Sequence, residues 1–138
     1  MMQSAKGEEI LELHQKTTGM TIKDITQTGI VLEMNSSGEA KGRFHAKGFG
    51  TVTVTQAMDG SSTWQGKNIL TTNDGDMVVG WGNGTGKRTG ATSTHWEGSM
   101  NFMSQSPKLA WLTGAKVWGE GDADDAKGES HAKFYLQK

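Results

Sequence analysis

The sequence predicts an all-β domain, an antiparallel up-and-down barrel of about eight strands. Three observations carry this. From about residue 28 onward, small or apolar residues alternate with polar ones at a period of two. Turn signals of the Asp-Gly type separate the alternating runs. The chain holds 20 Gly and a single Pro, yet it also has 5 Trp, 4 Phe and 8 Met. Chains disordered by composition lack such aromatics, so the glycines mark tight strands and turns.

The elements follow in order. Residues 8–15 (EEILELHQ) fit a first strand better than a short helix, which would find little to pack on. Ile22 and Ile25 fall in a connecting segment. A strand at 29–34 (GIVLEM) runs through a bend or bulge at Ser36-Ser37-Gly38 into the next. In 38–50 the even positions are Gly, Ala or Phe and the odd positions from Glu39 to Lys47 are charged or His. Residues 51–58 continue the pattern, with Val52 and Val54 against Thr51, Thr53 and Thr55.

Asp59-Gly60 is a hairpin signal. Residues 61–70 then alternate Trp64, Gly66, Asn68 and Leu70 with Thr63, Gln65, Lys67 and Ile69. Asn73-Asp74-Gly75-Asp76 is a second turn. The strand after it sets Gly80, Gly82, Gly84 and Gly86 on one face, which is bare backbone. Interior glycines weaken a strand unless something packs against them or the sheet bends there, and a closing sheet does both. After a turn near Thr89-Gly90, residues 91–104 put Thr94, Trp96, Gly98, Met100 and Phe102 on one face. A loop at Ser104–Pro107 leads to a seventh strand at about 109–120. The acidic turn GDADDAKG and a last strand at 128–136 complete the chain. A loose repeat (Trp64-x-Gly66, Trp81-Gly82, Trp96-x-Gly98, Trp118-Gly119) places aromatic bulk beside a glycine notch in four strands.

At 138 residues the chain makes one domain, 1–138. With no cysteine, disulfides, thiolate nucleophiles and Cys-ligated zinc are excluded. The balance of 14 basic and 15 acidic residues gives no reason to expect nucleic acid or an anionic membrane as partner. The N-terminal segment lacks an apolar run of about 7–15 residues of the signal-peptide kind. No stretch approaches the roughly 18 apolar residues of a spanning helix. A cytoplasmic location is the expectation.

Candidate chemistry is sparse. The run 80–90 (GWGNGTGKRTG) resembles a phosphate loop only superficially. Trp81 occupies the place of its first glycine and Arg88 the place of its Ser or Thr. The histidines, His14, His45, His95 and His131, form neither H-x-H nor H-E-x-x-H and fall in different strands. No metal site and no cofactor are therefore expected. His95 and Glu97 share a face and suit general acid–base work only if they line a cavity. Counted from Asp122, the acidic turn has Lys127 and Lys133 where a calcium loop needs Gly and Glu.

Residues 103–120 (MSQSPKLAWLTGAKVWGE) resemble the penultimate-strand region of a family of small uncharacterised bacterial β-barrel proteins. Trp96-Glu97-Gly98 ahead of Met100-Asn101-Phe102 and the Gly-alternating strand at 78–86 match the same pattern. Lys116 and Gly119 depart from it, interrupting the family's acidic-aromatic stretch. The family is similar in fold to allene oxide cyclase-like, or streptavidin-like, eight-stranded barrels. The resemblance implies architecture and carries no activity.

Eight-stranded barrels either fill their interior or hold one small ligand. The stripe of Trp64, Trp96, Met100 and Phe102 is either that filling or the lining of an apolar pocket. The first expectation is a non-enzymatic barrel binding a small apolar or amphipathic molecule against those four residues. A second is a cofactor-free isomerase or cyclase using a buried carboxylate, Glu97 or Glu33. A third is a homo-oligomeric structural module with a packed lumen, its Thr-rich face 51–55 covered by a partner copy.

Overall fold

The computed structural model describes residues 6–137. Eight strands run in order: Lys6–Thr26 (β1), Gly29–Gly42 (β2), Ala46–Ala57 (β3), Ser61–Thr72 (β4), Met77–Arg88 (β5), Ser93–Ser104 (β6), Val117–Asp124 (β7) and Glu129–Gln137 (β8). Each pairs antiparallel with the next, and β8 closes on β1. This is the predicted all-β, up-and-down eight-stranded barrel. Among the described residues no helix is long and apolar enough to cross a membrane.

Register explains the closure. Even-numbered residues of β2 to β6 are matched across the sheet, as in Gly38↔Gly48, Gly66↔Gly82 and Gly82↔Met100. These small and apolar faces point inward. The glycine face of β5 is thus the lumen side, and its bare backbone lets large side chains of neighbouring strands lie across it. Gly84 and Gly98 face each other directly, and a Cβ on Gly98 would stand 2.7 Å from Trp64 Cζ2.

The interior has two halves. The lower half is solid. Leu112, Val78 and Val117 are fully buried there, with Phe102 and Phe134 packed edge-to-face at 5.9 Å. Its floor is the β6–β7 connection, which starts with the short 3-10 turn Pro107–Leu109 and inserts Leu109 and Leu112 into the barrel end. Arg43 braces this plug from outside, its guanidinium 4.7 Å from the Trp111 ring centroid, while its Nε donates to Glu8 at 2.9 Å. The upper half is open.

Several sequence-based boundaries change. Residues 38–50 are not one strand: a turn at 43–45 divides β2 from β3. Ile22 and Ile25 lie in β1, not in a connection, and β1 carries irregularities at Thr17/Gly19 and Ile22/Asp24. The seventh strand is Val117–Asp124, because residues 109–116 form the plug. β1 also outlasts its last partner in β8, Lys16↔Glu129, and continues to Thr26 paired with β2. The barrel mouth therefore has a tall wall at β1–β2 and a low one at β7–β8.

Candidate functional site

The open half is a cup of about 460 Å³. Its strongest contacts come from two tryptophans. Trp64 and Trp96 meet edge-to-face with centroids 5.4 Å apart, a favoured aromatic geometry. The Trp64 indole N–H donates to the Thr85 carbonyl at 3.2 Å, which fixes the ring against β5. Met100 and Phe134 lie beneath, and Leu32, Val52 and Val54 continue the lining over β2 and β3, with Val54 directly across from Trp64. Of the four predicted binding residues, Trp64, Trp96 and Met100 line the cup. Phe102 does not: it sits on the same stripe one step deeper, in the solid half, as part of the floor's packing. The interior is thus neither fully packed nor fully open.

The tall wall extends the apolar lining outward. Past the irregularity in β1, Met20 pairs with Met34, Ile22 with Leu32 and Ile25 with Ile30. Met20, Ile22 and Ile25 are 55%, 63% and 67% exposed, so an apolar apron leads from the mouth into the cup.

Polar groups are placed at two levels. At the rim stand Arg88, Asp124, Asp125 and Glu129. Asp124 is committed to its turn, where its Oδ1 accepts from the Ala126 N–H at 3.0 Å and from Thr92 Oγ1 at 3.3 Å. Deep inside, Asn68 projects from β4 between Gly50 and Gly80. Its Oδ1 is buried and has no hydrogen-bond partner among the described residues. An unpaired buried acceptor costs about 1–3 kcal/mol, so this amide is the site's one unmet polar demand. Sequence reasoning placed Asn68 on the Trp64 face without singling it out. A lone Asn between flanking glycines of neighbouring strands is visible only once register is known.

Among the described residues no carboxylate lies at the base of the cup. Glu33 and Glu97, the candidate acids, both stand on the outer wall, where Glu33 faces Lys23 at 3.9 Å and Glu97 faces His95 at 3.9 Å. The physical reason is parity: odd positions of β2 and β6 point out. His95 Nδ1 also lies 3.0 Å from Asp122, as a surface cross-strand pair.

Two of the histidines, in different strands, are brought together where the barrel closes. His14 and His131 are direct cross-strand partners on the outside of β1 and β8, with rings stacked at 4.4 Å. Glu12 stands beside them. The His131 hydrogen bond holds its carboxyl below the usual glutamate range.

No family model matches the chain, and no curated protein matches its sequence. Solved structures do. A protein of unknown function from Clostridium acetobutylicum superposes with a TM-score of 0.85 at 16% identity, over 100% of this chain and 99% of that one. A β-barrel-like protein from Acinetobacter baumannii gives 0.78 at 16%, over 95% and 94%. A structure described as an enzyme from Penicillium herquei gives 0.70 at 16%, over 98% and 98%. The shared property is the fold. At this identity the fold is all that carries over, and function has to be argued from the cup.

Proposed function

We propose that the protein binds one small amphipathic molecule in the cup without transforming it. The observation that carries this is the open volume of about 460 Å³ beside Trp64, Trp96 and Met100. That volume lies within the roughly 300–1,000 Å³ usual for ligand pockets, which are mostly apolar with a few placed polar groups. The apolar body of the ligand lies against the tryptophans, and rotation of the Asn68 side chain, which also lines the cup, turns its buried Oδ1 toward a donor group such as a hydroxyl. The exposed apron of Met20, Ile22 and Ile25 gives such a molecule an apolar entry.

An isomerase or cyclase is the second reading, supported by the neighbour described as an enzyme. It needs an acid or base at the bound molecule. The charged residues that line the cup, Lys67, Arg88, Asp124, Asp125 and Glu129, are all exposed or half-exposed, and none is desolvated as a tuned catalytic group would be. Binding alone is the better fit.

Self-association has separate support on the outer wall. Phe49, Ile69, Val79 and Met103 form one continuous cross-strand row over β3 to β6. Phe49 is 64% exposed, and an apolar row of this kind suits a second copy of the chain.

Native mass spectrometry of the protein purified from its own host tests the binding and reads the subunit count. The expected result is a mass increment of one small molecule per chain, absent from Val54→Trp, which fills the cup. A bare chain mass in both proteins overturns the reading.

A further inference from the structure

We propose that Glu12, His14 and His131 form a surface site for one borderline divalent transition-metal ion, of which Zn²⁺ is the type. The site lies on the outer wall and is independent of the cup.

The topology builds it. β1 and β8 are the strands whose pairing closes the barrel, so residues far apart in sequence become opposite neighbours. His14 and His131 are directly paired, and Glu12 is two residues from His14 on the same face. Two-residue spacing along a strand and direct pairing across it are the two ways a sheet brings side chains together. One donor atom from each of the three residues lies within 4.8 Å of the others. Glu12 Oε2 is 2.5 Å from His131 Nε2 and 3.7 Å from His14 Nε2.

Tetrahedral zinc with bonds of about 2.0–2.1 Å sets its donors roughly 3.3 Å apart. The Glu12–His131 contact must open and the Glu12–His14 contact close, each by less than an ångström. Side-chain rotation supplies this without moving the strands. The side chains are 39% exposed for Glu12, 62% for His14 and 45% for His131, so a fourth position faces solvent.

The donor set chooses the ion. Two imidazoles and one carboxylate suit Zn²⁺, Ni²⁺ or Cu²⁺. Mg²⁺ and Ca²⁺ prefer all-oxygen shells and gain little here. The surrounding charge is mixed. Glu39 faces His14 from β2 and Asp122 faces His131 from β7, while Lys41 and Lys133 flank Glu12. Lys133 is drawn toward Glu9 at 3.8 Å.

Isothermal titration of the untagged, metal-stripped chain with ZnCl₂ and with MgCl₂ in a non-coordinating buffer tests this. Saturable binding of one Zn²⁺ per chain is expected, with no heat from Mg²⁺. His14→Asn and His131→Asn should each weaken zinc by at least roughly tenfold, the lower end of what loss even of an outer partner costs. His45→Asn and His95→Asn should bind as wild type. A zinc-dependent rise in melting temperature should track the same pattern, which separates lost binding from lost folding. No saturable zinc binding by the wild-type chain overturns the site. Equal binding by His14→Asn and His131→Asn overturns it as well.

Discussion

The Trp64 ring lies in a notch left by the absent side chain of Gly98. A Cβ there would stand 2.7 Å from Trp64 Cζ2 and 2.7 Å from the Gly84 Cα. The notch is therefore made of backbone on one side and an aromatic ring on the other. Gly98→Ala must displace both. Overpacking of this kind costs roughly 1–3 kcal/mol. Urea denaturation should show a lower midpoint, and the Trp64 N–H bond to the Thr85 carbonyl should loosen, shifting tryptophan emission to the red.

The same notch shows what was legible in the sequence. Glycines 80 to 86 on one face, with Trp64 and Trp96 on the matching faces of neighbouring strands, were readable as period two and gave the barrel. The failures have physical causes. The turn at 43–45 was hidden because Ala40 pairs with Ala46, so even-numbered parity passes through the turn unbroken. The second half of β1 was missed for the opposite reason: two register irregularities shift the inward set from Thr17 to Met20 and then from Ile22 to Ile25, which erases the alternation. The plug was legible in principle. Leu109, Leu112 and Ala115 recur every three residues, the spacing of a 3-10 turn, where strand spacing would be two. Phe102 was misplaced because alternation tells which face a residue occupies and says nothing of its depth along the barrel. The pairing of His14 with His131 was missed because the register at the closure is not written in either strand alone.

The plug makes its own prediction. Leu112 is completely buried at the barrel's closed end. Leu112→Ala leaves a cavity in the core cluster that also holds Phe102 and Phe134 and should cost about 2–5 kcal/mol. Ala110→Ser, on the exposed side of the same connection, should stay within about 0.5 kcal/mol of wild type. Paired chemical denaturation curves check both.

Acid sensitivity follows from Glu8. Hydrogen bonds from Arg43 are the main reason its carboxyl titrates below the usual glutamate range. A carboxylate with a lowered folded-state pKa contributes stability above its unfolded value and loses it as pH falls through the folded one. Glu8→Gln should therefore melt below wild type at every pH above about 5, the region where the unfolded carboxylate is already ionised. The gap should close as pH drops through and below the carboxylate range. Thermal melts of both proteins between neutral and acid pH read this, and a gap independent of pH would rule out the ion pair as its source.

Asn68 sets stability against binding. Its buried Oδ1 has no hydrogen-bond partner among the described residues, and a leucine of similar size carries no such demand. Asn68→Leu should raise the unfolding free energy by up to about 1–3 kcal/mol, the cost of the unpaired acceptor. The same substitution removes the acceptor proposed to hold a ligand's donor in place. The variant should then melt higher than wild type when both are ligand-free, and carry less of any small molecule through purification. A variant that melts lower would mean the amide is already satisfied in the free protein. One that melts higher and keeps its ligand in full would mean that the tryptophans alone hold the molecule. Melting temperature and native mass of the two proteins, measured side by side, distinguish these outcomes.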